Sequence, residues 1–338
     1  GIGKCALDGA KVIEDILGNY LTDGIALDVK EGKLNKIKSL IGTHPYPSEQ
    51  NIEATKQILK MVENLTEKDL VICLISGGGS SLFELPTIPL EELIQKTKEL
   101  TARGADIYEL NEFRKSVSQV KSGKFAKLCQ PAQVVSLIFS DVLGNDISMV
   151  ASGPTFFPSP SQGEGQFAEG ERGGVVNILI ASSHDALIAM KLKSEELGFD
   201  TKIETETLSG NASEVGKELA LRKPETKSCV LFGGETTVKI LENHGKGGRN
   251  QELVLSALRF IPEDTLLISA SSDGWDNTDC AGAIADTELL EKAKQMNLSP
   301  EEFLEKSDSY NFFKKVGGGI YTGKLGSNVS DLCIMLYE

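Results

Sequence analysis

Leu70-Val71-Ile72-Cys73-Leu74-Ile75 runs straight into Ser76-Gly77-Gly78-Gly79-Ser80-Ser81. Six consecutive apolar residues followed by a polar loop read as a strand buried on both faces, as found inside parallel sheets. The Gly/Ser loop then stands at the carboxyl edge of that sheet, where open α/β folds bind ligands. Three glycines exceed what a tight strand-to-helix turn requires. They let an anion approach backbone N–H groups closely, and the flanking serines add hydroxyl donors. The spacing is neither a Walker A loop nor a G-x-G-x-x-G fingerprint. Ser76, Gly77, Gly78, Gly79 and Ser80 are therefore expected to bind phosphate or substrate.

Working outward, the pattern repeats. Short apolar runs at Val134–Phe139, Val176–Ala181, Cys229–Phe232, Thr265–Ala270 and Leu332–Leu336 predict strands. Amphipathic segments at Ser48–Glu63, Leu90–Ala102, Asp185–Leu197, Asn250–Phe260 and Thr287–Met296 predict helices. Alternation of this kind marks the α/β class with mainly parallel sheets. A chain of 338 residues exceeds what one core usually organises, so two domains are expected. The stretch PSPSQGEGQFAEGERGG, 158–174, has almost nothing to bury. It predicts a low-complexity linker over 159–174, between an N-terminal domain at 1–158 and a C-terminal domain at 175–338.

Acidic residues outnumber basic ones, 49 to 35, for a net charge of −14. That balance argues against nucleic acid or an anionic membrane as partner, because both need basic patches. The six cysteines sit far apart, mostly inside apolar runs, and read as small buried hydrophobes in a reducing compartment. With no bilayer-length apolar stretch and no secretory signal, a cytoplasmic location is expected.

Three further clusters carry candidate chemistry. Arg114, Lys115, Lys121 and Lys124 concentrate positive charge in this acidic chain, and on one helix Arg114, Ser118 and Lys121 would share a face. That face suits a carboxylate or phosphate, or is simply solvated. Asp141 directly follows the Val134–Phe139 strand and Ser140. It is placed to hold Mg²⁺, to accept a proton from a substrate hydroxyl, or to cap a helix. In the C-terminal half, four glycine-plus-polar turns would gather Glu235, Arg249, Asn328 and the three aspartates Asp273, Asp276 and Asp279 on one rim. The acid-rich 273–279 turn lacks EF-hand spacing, so its aspartates point to Mg²⁺ or a substrate hydroxyl. His44, in a proline-held segment, reads as a structural histidine.

Long motifs then carry a resemblance. THPYPSEQN (43–51), LISGGGSSLFELP (74–86), LTARGADIYELNEFRKSVSQVKSGKFA (100–126), SDVLGND (140–146) and ASGPT (151–155) resemble the N-terminal domain of class II glycerate kinases. FGGETTV (232–238), GKGGRNQELVLSAL (245–258), SASSDGWDNTDCAGAIAD (269–286), YTG (321–323) and GSNVSDL (326–332) resemble that family's MOFRL domain. The resemblance implies a Rossmann-like parallel-sheet domain, a second α/β domain, and an active site in the cleft between them. It implies transfer of the ATP γ-phosphate to D-glycerate with Mg²⁺, generally giving 2-phosphoglycerate, by a monomer or homodimer.

Carried over by residue, the resemblance makes Lys4, Arg114 and Asp141 catalytic. Ser76 to Ser80, Glu235, Arg249, Asn250, Asp273 and Asn328 become binding residues, with Asp141 and Asp273 as Mg²⁺ ligands. It further implies a helix and a strand ahead of Gly1, a longer helical segment where 159–174 stands, and proline in place of Lys324. The competing expectations are a hydroxypyruvate reductase-type NAD(P)-dependent oxidoreductase and a catalytically impaired ligand-binding relative.

Overall fold

The computed structural model describes residues 1–103, 105, 107–157, 174–222, 227–239, 244–325 and 328–338. The chain divides into two compact units, Gly1–Ala181 and Ser182–Glu338.

In the first unit the strands are β1 (Gly24–Asp28), β2 (Ile37–Ile41), β3 (Leu70–Ile75), β4 (Gln133–Phe139) and β5 (Val175–Ala181). Every pairing among them is parallel. Ile2 stitches β1 to β3 through parallel bridges to Leu27 and Ile75. Its N–H donates to the Leu74 carbonyl at 2.7 Å, and its carbonyl accepts the Ser76 N–H at 2.9 Å. The order across the sheet is therefore β2, β1, Ile2, β3, β4, β5. Parallel strands align their carboxyl ends, so the turns after Ile2, β3 and β4 share one edge.

The helices of this unit are α1 (Ala6–Leu17), α2 (Glu49–Val62), α3 (Gly79–Leu82), α4 (Leu90–Ala102), α5 (Ile107–Val117) and α6 (Lys124–Leu128). Leu93, Thr97 and Leu100 of α4 are buried, as their spacing predicts. In β3, Leu70 is exposed while Cys73, Leu74 and Ile75 are buried, so the strand enters the core just before the glycine loop.

Two expectations change here. The boundary predicted at 159–174 falls after Ala181, because β5 is hydrogen-bonded to β4 from Val134↔Val175 to Phe139↔Ala181. Apart from Gly174, the expected linker lies outside the described residues. Secondly, α5 ends at Val117, so Arg114, Ser118 and Lys121 do not share one helix. The chain instead turns extended and pairs with residues 85–87. Thr87 N–H donates to the Val117 carbonyl at 2.7 Å, and Gln119 N–H to the Leu85 carbonyl at 2.9 Å.

The second unit holds β6 (Asp200–Leu208), β7 (Ser228–Gly234), β8 (Thr265–Ser271), β9 (Gly282–Ala285), β10 (Gly319–Ile320) and β11 (Asp331–Tyr337). Its helices are α7 (Ser183–Glu196), α8 (Ala212–Ala220), α9 (Arg249–Leu258), α10 (Thr287–Gln295), α11 (Pro300–Leu304) and α12 (Ser309–Val316). The sheet order is β10, β9, β8, β11, β7, β6. Only β6 and β7 run parallel; the other pairings are antiparallel, against the expectation of a mainly parallel sheet. The β8–β9 and β9–β10 pairings account for two of these, and the other two come from β11, which enters last between β7 and β8 and runs opposite to both. Its first residue, Asp331, thereby pairs with Gly234 and Ser271, the last residues of those two strands.

The central helix α9 is buried from Asn250 to Leu258, with its apolar residues in the main core of this unit. All six cysteines are buried and unbridged. Among the described residues, no helix is long and apolar enough to cross a membrane.

Candidate functional site

At the carboxyl edge of the first sheet, Ile2 is followed by Gly3, Lys4 and Cys5, and then by α1. Gly3 has φ +115°, and a Cβ there would overlap the Ser76 hydroxyl, so only glycine fits. The Lys4 N–H donates to the Gly77 carbonyl at 2.9 Å. Ser76 is buried, and its Oγ accepts the Cys5 N–H at 3.1 Å. Two loops are thereby locked together.

Gly78 has φ +82°, and a Cβ built on it would stand 3.1 Å from Lys4 Cγ and 3.3 Å from His44 Cδ2. Both side chains therefore converge on this glycine. The N–H groups of Gly77, Gly78 and Ser80 take no protein partner among the described residues. An ammonium beside backbone donors is an anion-binding arrangement.

Helix α5 is tied to the same loop. Ser80 Oγ lies 2.9 Å from Ser152 Oγ, which donates to Asn111 Oδ1 at 2.6 Å. Ala151 and Ser152 have φ of 52° and 60°, a left-handed strain of the kind that collects at functional turns. Arg114 follows Asn111 by three residues and so shares its helix face. Burial weakens the hold of its guanidinium on the proton, and the neighbouring charges of Glu84 and Tyr46 act against that.

The rest of the basic cluster has other work. Lys121 is fully buried, with Nζ 2.8 Å from Glu84 Oε2 and donating to the Phe83 carbonyl at 2.9 Å. Lys124 donates to the carbonyls of Lys115 and Ser118 at the end of α5. Lys115 pairs with Glu112 at 3.1 Å.

Asp141 stands two residues beyond β4, and its charge is felt at Cys5, whose thiol pKa is raised first by burial and then by nearby acids. It therefore lies near the Lys4 turn. Among the described residues no group of three His, Cys, Asp or Glu side chains forms a metal cage. A strand-end carboxylate such as Asp141 suits Mg²⁺, which keeps phosphate and water oxygens as its other ligands.

In the second unit the rim forms around Arg249, the first residue of α9. Its Nε donates to Asp331 Oδ2 at 2.5 Å and its Nη2 to Asp331 Oδ1 at 3.2 Å, a bidentate pair. Nη2 also lies 2.9 Å from Glu235 Oε1. Burial disfavours the guanidinium charge, but Asp331 and Glu235 outweigh it and raise the pKa.

Asp276 caps the start of α9. Its carboxylate accepts the N–H groups of Asn250 at 3.3 Å and Gln251 at 3.0 Å. Burial nevertheless pushes its pKa up to about 6. Asp273 Oδ1 accepts the Ser271 hydroxyl and the Trp275 N–H, both at 2.9 Å. Asn328 is buried in the neighbouring turn, where the Val329 N–H donates to Ser272 Oγ at 2.8 Å.

Residues 1–168 match a family described as Domain of unknown function (DUF4147), and residues 228–331 match the MOFRL family. The chain is 38% identical to a D-glycerate 2-kinase of Thermotoga maritima, across 99% of this chain and 89% of the relative. A glycerate 2-kinase of Pyrococcus horikoshii is also 38% identical, across 99% and 86%. The chain belongs to the glycerate kinase family. A solved glycerate kinase from Thermotoga maritima has the same fold, with a TM-score of 0.89 at 36% identity over 100% of this chain and 90% of that one.

In this member of the glycerate kinase family, Lys4, Gly77 to Ser80, Arg114 and Asp141 gather at one edge of the first unit. Glu235, Arg249, Asp273 and Asn328 gather at one edge of the second. Ser76 and Asn250 were expected to face a ligand, but their polar atoms are buried in the protein. The Asn250 amide donates to Asp276, and its oxygen accepts the Ser269 hydroxyl at 2.5 Å.

Sequence reasoning did not select Asp331, and it set His44 aside as structural, whereas it placed Asp276 on the rim of the second unit and the turn at Ser152 beside the cleft of the first. Asp331 carried a usable signal, since an acid directly before an apolar strand mirrors Asp141 after one. His44 carried none, because only the fold brings it to the glycine loop.

Proposed function

We propose that this glycerate kinase family member transfers the γ-phosphoryl group of ATP to D-glycerate in a Mg²⁺-dependent reaction, giving 2-phosphoglycerate. The observation that carries the reading is the convergence of Lys4 with the N–H groups of Gly77 and Gly78, which take no partner among the described residues. These groups neutralise charge on a phosphate or carboxylate, and Arg114, on the helix tied to the same loop, adds a planar two-pronged donor. The substrate hydroxyl oxygen forms a bond to the γ-phosphorus as the bond to the β–γ bridging oxygen breaks and ADP leaves. Asp141 is the carboxylate placed to receive the hydroxyl proton.

Magnesium, when bound with the nucleotide, supplies charge neutralisation across the phosphates. The protein contributes positioning and preorganised donors. Among the described residues no G-x-G-x-x-G turn joins a strand to a helix, and the turn between Ile2 and α1 reads Gly3-Lys4-Cys5.

The test is ADP release with D-glycerate, ATP and Mg²⁺, with the product identified by NMR. Glycerate-dependent formation of 2-phosphoglycerate supports the reading. Absence of turnover with active-site residues intact removes D-glycerate as the substrate.

A further inference from the structure

A lone histidine in a proline-flanked loop is an ordinary structural residue until its surroundings are known. Here the loop is held by another side chain. Asn51 is fully buried, and its Oδ1 accepts the Thr43 N–H at 2.9 Å and the Ser48 hydroxyl at 2.9 Å. Its Nδ2 donates to the Thr43 carbonyl at 2.9 Å and to the Ser81 carbonyl at 2.8 Å. One carboxamide thus clamps the loop 43–48 to the segment that follows the three glycines. Thr43 Oγ1 closes the loop on itself by donating to the Tyr46 carbonyl at 2.8 Å.

The clamp has a consequence for His44. It is exposed, and its Cδ2 sits against Gly78 where Lys4 also arrives. The scaffold of the loop comes from Thr43, Ser48 and Asn51, so the loop carries the imidazole to the glycines. His44 Cδ2 at 3.3 Å and Lys4 Cε at 3.5 Å flank the position a Gly78 Cβ would take, so an imidazole and a lysine chain meet beside backbone N–H groups, side chains of the type that bind an oxyanion.

We infer that His44 is a substrate-positioning residue of the glycine-loop site, contacting a carboxylate or phosphate oxygen, and that Asn51 positions it. The inference deepens the kinase reading by adding a donor to the anion site. It names the ligand by its shared chemistry, since a hydroxy-acid carboxylate and a nucleotide phosphate present the same oxygens.

The chain has three histidines, at 44, 184 and 244, so its imidazole C–H NMR signals can be assigned with H44Q. Separate titrations with D-glycerate, inorganic phosphate and a non-hydrolysable ATP analogue then read His44 directly. The His44 signals should shift saturably with at least one of them while those of His184 and His244 stay still; the responding ligand identifies the oxyanion. H44A should raise KM for that substrate on the order of tenfold, with kcat within roughly threefold and an unchanged melting temperature. H44Q, which keeps an N–H donor, should recover part of the loss. N51A should raise the same KM while also lowering the melting temperature.

His44 signals unmoved by all three ligands would overturn the inference, as would wild-type KM in H44A. A collapse of kcat at unchanged KM would also overturn it, in favour of proton transfer. Should the wild-type protein fail to phosphorylate D-glycerate, the kinase reading falls on that substrate, while the phosphate and nucleotide titrations still decide the role of His44.

Discussion

Arg249 and Asp331, 82 residues apart in sequence, meet in a two-pronged ion pair at the edge of the second sheet. The pair joins the first residue of α9 to the first residue of β11, and Glu235 at the end of β7 completes it. Arg249 keeps about a third of its side chain exposed, whereas Asp331 is 8% exposed. Replacing Arg249 with Met strands a buried carboxylate and should cost about 2–3 kcal/mol in denaturant unfolding. R249M/D331L should regain most of that stability. Turnover should stay lost in the double variant if the exposed part of the guanidinium meets substrate, and should return if the pair only holds the fold.

Glu84 and Lys121 form a deeper pair, with side chains 1% and 0% exposed. Glu84 Oε1 has no hydrogen-bond partner among the described residues. K121M alone leaves the carboxylate buried and unpaired and should cost about 3–5 kcal/mol, whereas K121M/E84L should be close to neutral. Chemical denaturation of both variants measures this. A single variant as stable as wild type would show that Glu84 is neutralised by some other group, Arg114 first among them.

Gly78 is tested by adding one methyl group. Gly78→Ala must hold φ +82° and bring its Cβ close to Lys4 and His44. The backbone strain alone should cost about 1–2 kcal/mol. The larger effect should be on turnover, falling tenfold or more by displacement of Lys4, a magnitude on the order of that seen for ångström-scale misplacement. Steady-state kinetics beside a melting curve separates the two effects.

Within its cluster Lys121 pairs with Glu84, Lys124 holds the end of α5 and Lys115 pairs with Glu112, while Arg114 stands on the Asn111 face of α5 that is tied to the glycine loop. Arg114→Ala should lower kcat/KM by about 2–3 orders of magnitude while the melting temperature changes little. Near-normal turnover would remove Arg114 from the site.

Stability of the second unit should depend on pH in an unusual direction. Burial pushes the carboxyls of Glu252 and Asp276 up to about 7 and about 6. Both bind their protons more tightly folded than unfolded. Their contribution is therefore fully present below about pH 4 and is lost as the pH rises through 6 to 7. At about 1.4 kcal/mol per pKa unit, Glu252 alone accounts for roughly 3 kcal/mol. Glu252→Gln should flatten the stability profile between pH 5 and 8 and leave the variant more stable than wild type at pH 8. Equal slopes in the two proteins, followed by thermal unfolding, would reject this.

Much of this molecule was legible in the order of its residues. The strand Leu70–Ile75, the glycine loop, the strand before Asp141 and the helix at 249–258 could all be read from local pattern, because burial on two faces and a core-facing stripe leave periodic marks. The candidate residues Arg114, Asp141 and Arg249 stood out in that local reading, whereas Lys4 came only from the family resemblance. Tertiary structure alone decided the direction of β11, the placement of β5 beside β4, and the meeting of His44 with Lys4 at Gly78. It also decided which polar residues face outward and which, like Ser76, Asn250 and Lys121, are spent on the fold. The reason is physical: hydrophobic periodicity records how a segment meets its core, whereas sheet order and hydrogen-bond partners depend on contacts tens of residues away. No local stretch of sequence encodes those contacts.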